Sequence, residues 1–435
     1  MKLAFVIQRY GAEILGGSEY HCRLIAERLA TRHDVEVLTT CARDYITWAN
    51  EYPEGTDRVK GVTVRRFANA RTRDIKAFNE YSDWIFANPH TREDEMRWLE
   101  AQGPWCPSLL EYLRRHQHQY DALIFFTYLY APTVLGLQVN PGKSILVPTA
   151  HDEPAVHLGI YREVFAAPAA YAFNTDVEKH FLKTTFDIRT VAEETVGCGV
   201  DLMPDADAEG EAAGDEEGAG LSVASELDDA SPKAIHLDDP RNQWPAHIRA
   251  RGAEFRRRHR LHGDFLLYGG RIDPGKGCEE LLEYFTSYKE RGGDASLVLM
   301  GAKLMQLPEV PWVRFAGLLS ERERLAALEA ATIVVVPSPF ESLSLLALEA
   351  MAVGTPVLCN ARSEVLVHHM VSSNAGLYYA DRDEFLECIT LMLADDRLRR
   401  RMGRNGKEYV RRNYRWDVIL SKYDRLIAAV RGARA

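Results

Sequence analysis

The feature that most constrains the fold of this chain is the stretch from residue 332 to residue 357. It begins with the run TIVVV, whose β-branched residues are typical of a fully buried parallel strand. The prolines of PSPFE end that strand, and a run of Leu and Ala then predicts a largely buried helix that Gly354 and Pro356 terminate. A buried strand, a tight loop and a helix form the repeating unit of an open α/β sheet.

This stretch carries two carboxylates, Glu341 in the loop and Glu349 in the helix. Ligands of open α/β sheets bind at the carboxyl ends of the strands, where helix N-termini favour phosphate. Eight helical residues at ~1.5 Å rise would separate the two carboxylates by up to about 12 Å. That length matches the reach from the sugar of a nucleotide-sugar to its ribose, and carboxylates accept hydrogen bonds from vicinal hydroxyls. The alternative is a buried hairpin whose two glutamates are merely solvated.

The first half of the chain opens with a strand, a glycine-containing loop, a helix and a second strand, which predicts a Rossmann-like domain. The loop contains Gly16-Gly17, which would allow close approach to a ligand or a turn with positive φ, or would simply form a turn. The three spaced glycines of a dinucleotide site are absent, so a nicotinamide or flavin site is not expected. Two further buried strands are predicted at 121–127 and 144–148, and two more strands at 170–174 and 191–196.

Polar residues follow the strand at 144–148 in the sequence THDEP. His151 would lie at the ligand edge of the sheet, where it could donate to a sugar or phosphate or transfer a proton. It could equally be a structural residue, with Asp152 capping the next helix. Residues 42–118 are predicted to be irregular, and their many aromatic residues could stack on a sugar acceptor or could form a small core of their own.

The second half begins with a basic helix near residues 245–260 and a strand at 264–268, followed by GGRIDPGKGC. Arg271 and Lys276 in this turn suit a diphosphate, or they are solvated cations of a surface turn. The Walker spacing is absent, which disfavours ATP hydrolysis. Later strands are predicted at 296–300, 313–315 and 356–359. After the middle one of these, the backbone at Leu318 and Leu319 could contact the edge of a nucleotide base, or it is only the entry to the next helix.

Length and charge predict the domain organisation. A chain of 435 residues is long enough for two domains, expected at 1–201 and 241–412, followed by a C-terminal helix at 413–435 that could cross back to the first domain. Between the domains, residues 202–240 hold twelve acidic side chains and one lysine, which gives this segment a net charge of −11. Since the whole chain has a net charge of −10, the remaining residues together carry +1. This segment is expected to be a disordered insertion or linker.

Cysteine usage and hydropathy bear on localisation. The seven cysteines are scattered without metal-ligand spacing, which suits a reducing compartment, and no apolar run approaches the ~18 residues of a membrane span. We therefore expect a cytoplasmic protein. The arginines of 397–415 either form a solvated helix face or give peripheral contact with an anionic membrane at its inner face.

Taken together, these motifs resemble the retaining nucleotide-sugar glycosyltransferases of the GT-B fold, glycosyltransferase family four (glycosyl transferases group 1). The resemblance is strongest over 269–357, from GGRI and KG to PSPFE and EAMAVGTPV, and weaker at Gly16-Gly17, His151-Asp152, 199–201 and the helix after Trp416. It implies two Rossmann-like, doubly wound α/β domains facing across a cleft. It implies catalytic roles for His151, Arg271, Lys276 and Glu341. It implies donor binding by Gly16, Gly17, Gly270, Leu318, Ser342, Leu343, Ser344, Leu345 and Glu349.

By this resemblance, Arg271 and Lys276 hold the diphosphate, Glu341 contacts the donor sugar and Glu349 contacts the ribose. The activity implied is transfer of a sugar, with retention, from a nucleotide-diphosphate donor to a hydroxyl-bearing acceptor, without a catalytic metal, a cofactor or nucleic acid. A nucleotide-sugar epimerase or a non-catalytic nucleotide-sugar binder on the same fold remains an alternative. Ser344 departs from the family pattern, since many members have glycine there, which puts its amide contact to phosphate in doubt.

Overall fold

The computed structural model describes residues 1–14, 16–202 and 251–432. The predicted acidic insertion, apart from Leu202, lies outside the described residues, as does the part of the basic helix before residue 251.

The N-terminal sheet has eight strands in the order β3-β4-β2-β1-β5-β6-β7-β8, and all neighbours are parallel except the β3–β4 pair. Residues of β1 point alternately to two buried cores, with Leu3 and Phe5 on one face and Ala4 and Val6 on the other. A sheet covered on both faces explains why its central strands are apolar throughout. The strands are β1 (Lys2–Val6), β2 (Asp34–Thr40), β3 (Gly55–Val59), β4 (Val62–Phe67), β5 (Ala122–Phe126), β6 (Ser144–Val147), β7 (Ala170–Phe173) and β8 (Ala192–Thr195).

Helices connect these strands and cover the sheet. They are α1 (Gly17–Leu29), α2 (Ile75–Ala87), α3 (Arg92–Gln102), α4 (Pro107–His116), α5 (Ala131–Gly136), α6 (Ile160–Ala166) and α7 (Asp176–Thr185). Helix α7 begins where the sequence predicts it, because the Thr175 side chain accepts a hydrogen bond from the Glu178 N–H.

The C-terminal sheet has six parallel strands in the order β11-β10-β9-β12-β13-β14, which is the doubly wound order with its switch point between β9 and β12. The strands are β9 (Phe265–Gly269), β10 (Ser296–Met300), β11 (Val313–Gly317), β12 (Ile333–Val336), β13 (Val357–Asn360) and β14 (Gly376–Tyr379). The helices are α8 (Arg251–Arg258), α9 (Cys278–Glu290), α10 (Glu321–Ala330), α11 (Leu345–Val353), α12 (Glu364–Ser373), α13 (Arg382–Ala394), α14 (Asp396–Asn413) and α15 (Trp416–Gly432). The predicted fold class, two parallel-sheet α/β domains, is confirmed.

The prediction that residues 42–118 are irregular is wrong. They form the β3–β4 hairpin and helices α2 to α4, which pack their own apolar side chains, including Trp98 and Leu99, into one core of the N-terminal domain. The hairpin escaped prediction because the first four residues of β3 are exposed and therefore lack an apolar pattern.

Helix α15 leaves the C-terminal domain and packs against β5 to β8 of the first sheet. At its start, Trp416 Nε1 donates to Asp201 Oδ1 at 2.8 Å, and the guanidinium of Arg28 lies 4.6 Å from the Trp416 ring. A Cβ at Gly199 would lie 2.3 Å from the same ring, so only glycine allows this approach. The last helix therefore completes the first domain.

Candidate active site in the interdomain cleft

The loop between β12 and α11 carries Glu341, the first of the two predicted carboxylates. Its Oε1 accepts a hydrogen bond from Lys276 Nζ at 2.8 Å, and both side chains are largely buried. Lys276 also lies 3.4 Å from Ser338 Oγ at the end of β12. The structure therefore brings together two of the four residues predicted to be catalytic, from opposite sides of the switch point.

The glycine-rich turn after β9 positions Lys276 and Arg271. Asp273 caps a short helical turn by accepting from the Lys276 N–H at 2.9 Å, and Gly270 and Gly277 have φ of +149° and +73°. A Cβ at Gly277 would lie 2.3 Å from the Pro337 carbonyl oxygen. This close approach is what brings the lysine within reach of Glu341.

Arg271 points towards the other domain. Its guanidinium lies 5.0 Å from the ring of Tyr45, which follows β2. The guanidiniums of Arg9 and Arg73 lie 5.6 and 5.2 Å from the same ring. Of these three cations, Arg271 has the most exposed side chain, because Arg9 pairs with Glu19 and Arg73 is buried. Arg271 is therefore the guanidinium of this cluster that is best placed to bind a diphosphate.

Helix α11 begins at Leu345, directly after Ser344. The backbone of Ser344 is left-handed, with φ of +62° and ψ of +75°. This explains why glycine commonly occupies the position in the resembling family, since residues with a Cβ are strained in that conformation. The backbone N–H groups of the first turn of α11 lie at the mouth of the cleft. The N-terminus of a helix favours an anion.

We expect Ser344→Gly to stabilise the protein by about 1 kcal/mol, because it removes the Cβ strain of the left-handed conformation at the cost of a more flexible unfolded chain. The melting temperature measured by circular dichroism should rise by roughly 2–4 °C. Ser344→Val is the matched opposite change, because a β-branched residue is disfavoured at positive φ, and it should lower the melting temperature. A lower melting temperature for the glycine variant would contradict this account.

The second predicted carboxylate, Glu349, is buried in α11 and forms an ion pair with Arg324 of α10. Burial raises the pKa of Glu349, and the guanidinium of Arg324 opposes that rise. Arg324 also donates to the hydroxyl of Tyr20 at 2.8 Å, and Tyr20 lies on α1 of the other domain. The carboxylate predicted to bind ribose is therefore held by a chain of contacts that crosses the cleft.

His151 lies on the opposite wall of the cleft, as its position after β6 predicts. Its ring stacks on Phe340 of the C-terminal domain with centroids 5.3 Å apart, next to Glu341 in sequence. Its Nε2 lies 3.5 Å from Glu153 Oε2, and its Nδ1 is buried without a hydrogen-bond partner among the described residues. The alternative that Asp152 caps a helix is not observed, since Asp152 instead pairs with His157 at 2.7 Å.

Glu153 is kept ionised beside this histidine. Burial alone would raise its pKa, but the hydrogen bond from His151, the charge of His151 and a hydrogen bond from Tyr128 together lower it. The positive charge of Lys276 across the cleft acts in the same direction. A carboxylate that stays charged near neutral pH can accept a hydrogen bond from the imidazole and so orient the ring.

Glu178 is a fully buried carboxyl beneath the cleft that sequence reasoning did not single out. Its two oxygens accept from the N–H groups of Ala150 and Asn174, each at 2.6 Å. It thereby ties the loop of His151 to the loop of Asn174 and Thr175, which contact Ser342 in the other domain at 3.5 and 3.4 Å. Burial raises the pKa of Glu178 to about 8.

We expect this carboxyl to make folding stability depend on pH. Between an ordinary glutamate pKa and about 8, the folded state holds a proton that the unfolded state has released, so the free energy of unfolding should fall by roughly 1.4 kcal/mol per pH unit as pH rises. Urea unfolding from pH 5 to 8.5 measures this slope. Glu178→Gln should be less stable overall, because an amide nitrogen cannot accept a hydrogen bond from a backbone N–H. In this variant, the free energy of unfolding should no longer show the dependence on pH that Glu178 causes. An unchanged slope in the variant would contradict the assignment.

The remaining predicted donor residues line the cleft less directly. Gly16 precedes α1 with an ordinary φ of −64°, so the predicted positive φ is not observed; a Cβ there would instead collide with the carboxylate of Glu19, which pairs with Arg9 at 2.6 Å. Gly17 has open space around its Cα, which leaves room for a ligand. Leu318 is 60% exposed after β11, at the far edge of the C-terminal sheet.

His369 is a supporting residue that the sequence analysis missed. It is fully buried on α12, and burial lowers its pKa to about 4, so the ring is neutral. Its Nε2 then donates to the carbonyl oxygen of Leu343 at 2.9 Å, while its Nδ1 accepts from the Tyr409 hydroxyl at 3.0 Å. This bond fixes the segment between Ser342 and Leu345.

Comparisons with known proteins agree with this geometry. Residues 253–409 match the family model described as Glycosyl transferases group 1. The matched range contains Arg271, Lys276, Glu341 and Glu349. This match agrees with the resemblance inferred from the sequence, over the part of the chain that carries its strongest motifs.

Two curated relatives match part of the chain. A D-inositol 3-phosphate glycosyltransferase of Corynebacterium efficiens is 30% identical over 183 residues, covering 38% of this chain and 43% of the relative. A phosphatidyl-myo-inositol mannosyltransferase of Mycobacterium leprae is 32% identical over 183 residues, covering 39% and 47%. The chain thus spans somewhat less than half the length of these relatives.

Solved structures match the whole fold at low identity. Sucrose-phosphate synthase from Thermosynechococcus elongatus has a TM-score of 0.66 and 18% identity, covering 99% of both chains. Anabaena HepE in complex with UDP-glucose has a TM-score of 0.64 and 13% identity, covering 100% of both. These similarities establish the GT-B arrangement of two facing domains.

The described residues contain neither a membrane-spanning helix nor a cluster of metal-ligating side chains. In the parts of the chain that the structure describes, no helix is long and apolar enough to cross a membrane. Over the same residues, no group of three or more His, Cys, Asp or Glu side chains could hold a metal ion. The expectations about metal, cofactor and peripheral membrane contact stay predictions.

Proposed function

We propose that this protein is a retaining glycosyltransferase that moves a sugar from a nucleotide-diphosphate donor to a hydroxyl-bearing acceptor without a catalytic metal. The observation that carries the proposal is the Lys276–Glu341 pair at the switch point, facing His151 across the cleft. The free thiols of all seven cysteines suit the cytoplasm, where nucleotide-sugars serve as donors.

In this mechanism the diphosphate of the donor binds to Lys276 and Arg271 and competes with Glu341 for the lysine. Glu341 is then free to accept hydrogen bonds from hydroxyls of the transferred sugar. Negative charge develops on the diphosphate as the glycosidic bond breaks. The two cations and the N-terminus of α11 stabilise that charge, which is commonly the largest contribution to catalysis of this kind.

Glu349 has a different role in donor binding, since its carboxylate would accept hydrogen bonds from the ribose hydroxyls. Arg324 holds one of its oxygens and leaves acceptor capacity on the other. His151, oriented by the ionised Glu153, lies where the transferred sugar would meet the acceptor, and can donate to a hydroxyl there.

The test is donor binding followed by turnover. UDP-glucose is the first donor to examine, because the structurally similar HepE binds it. We expect nucleotide-sugars, but not the corresponding nucleosides, to raise the melting temperature, since a ligand of the folded state stabilises it. Proton NMR of the product should show the anomeric configuration of the donor.

Four outcomes test the proposal against its alternatives. Release of nucleotide that depends on an added acceptor supports transfer, whereas donor interconversion without acceptor would indicate an epimerase. Binding without turnover on any acceptor would indicate a nucleotide-sugar binder. Product with inverted configuration would contradict the retaining mechanism.

A further inference from the structure

A cavity lies on the N-terminal domain, beside the donor site. It has a volume of about 540 Å³ and lies between α2, α3 and residues 71–74, which follow β4. We call it the α2–α3 groove. Because β4 runs parallel to β2 and β1, this groove is at the carboxyl edge of the sheet, where ligands bind in open α/β domains.

One wall of the groove is aromatic. It is formed by Phe78 and Tyr81, both only partly buried. The Tyr81 ring stacks on Trp84 at 5.7 Å with an interplanar angle of 7°, and its hydroxyl donates to the Asp94 carbonyl oxygen at 3.0 Å. The ring is therefore held in a fixed orientation, which lowers the entropy cost of packing a flat apolar ligand face against it.

The rim of the groove carries planar charged groups that are already paired. Arg71 and Glu100 are 2.6 Å apart with side chains 48% and 36% exposed, and Arg97 pairs with Asp94. These pairs keep further N–H donors and oxygen lone pairs available to hydroxyl groups. The third arginine of the groove, Arg73, is buried and donates to backbone carbonyl oxygens and to the Gln102 side chain. Since all three arginines already have partners, the groove suits a neutral polyhydroxylated ligand better than an anion.

The groove is close to the cations of the donor site. Arg73 lies in the groove with its guanidinium 5.2 Å from the Tyr45 ring, and Arg271 lies 5.0 Å from the same ring. The two guanidiniums are therefore separated by no more than about 10 Å. The groove therefore adjoins the cleft, as a subsite for an extended acceptor must.

We propose that the α2–α3 groove is a subsite for a neutral saccharide part of the acceptor, one unit or more beyond the sugar that reacts. The C–H face of the ring packs on Tyr81 and Phe78, and its hydroxyls bind to the Arg71–Glu100 pair. The inference rests on the proposed function for its link to the reaction. The groove itself can be tested without any transfer.

The test measures binding of four neutral disaccharides (maltose, cellobiose, lactose and gentiobiose) to the full chain by saturation-transfer difference NMR. We expect at least one of them to bind. Tyr81→Ala should weaken its Kd about tenfold by removing the stacked ring, and Ala77→Trp should do the same by filling the groove from an exposed helix position. Tyr378→Ala removes an exposed tyrosine on the other domain, serves as the control and should bind as the wild type does.

The proposal is overturned if none of the four disaccharides binds, or if both groove variants bind as tightly as the wild type. Thermal shift by UDP is measured in parallel on the same proteins, and Tyr81→Ala should leave it unchanged. An absent UDP shift in the wild type would count against the donor site alone, since the disaccharide titrations still decide whether the groove binds sugar.

Discussion

Lys276→Ala is expected to lower the rate of sugar transfer by about 100- to 1,000-fold. The lysine is the cation nearest to Glu341, and its charge would stabilise the diphosphate as it leaves. kcat should fall because the interaction strengthens as charge develops, and kcat/KM should fall further because the lysine also binds the donor diphosphate before the reaction. Arg271→Ala should act in the same direction, since its guanidinium points into the same cluster of charges.

The measurement is steady-state transfer with a saturating donor, accompanied by circular dichroism to verify the fold. Arg291→Ala is a suitable control, because this exposed arginine pairs with Asp383 on the surface and its loss should leave the rate unchanged. Near-wild-type turnover of Lys276→Ala would remove the lysine from the mechanism.

Glu349→Ala is expected to destabilise the protein by about 3–5 kcal/mol, because it leaves the guanidinium of Arg324 buried without its carboxylate. The same change should abolish the nucleotide-induced rise in melting temperature, since the ribose loses its acceptor. Urea unfolding and thermal shift measure the two effects on one protein.

A double variant separates these two roles of Glu349. Arg324→Met combined with Glu349→Leu replaces the buried ion pair by apolar side chains, and should recover most of the lost stability. It should still fail to respond to nucleotide. If the double variant binds the nucleotide-sugar as the wild type does, Glu349 has only a structural role.

The sequence predicts the strands and loops of both domains well where they are buried. The run TIVVV is strand β12, and the glycine-rich turn, Glu341 and His151 all lie at the ligand edges expected from their positions after strands. Strand β14 was not predicted, because its three first residues are partly or fully exposed and show no continuous apolar run.

The partners of the site residues could not be predicted, because they depend on how the two domains dock. Nothing near Glu349 in sequence indicates that Arg324 and Tyr20 hold it, and Tyr45 lies more than two hundred residues from Arg271. Ser344 is the intermediate case. The sequence marks it as a departure from the family pattern, and the structure supplies the reason in its left-handed backbone.

The return of helix α15 to the first sheet has a consequence for the order of folding during synthesis. Trp416 fills the space above Gly199, and Ile419, Tyr423 and Ile427 are buried in the same core as β1. The ribosome makes β1 some four hundred residues before this helix, so the first domain emerges without part of its core. The second domain can therefore reach its final packing first, and the domain made earlier is the one completed last.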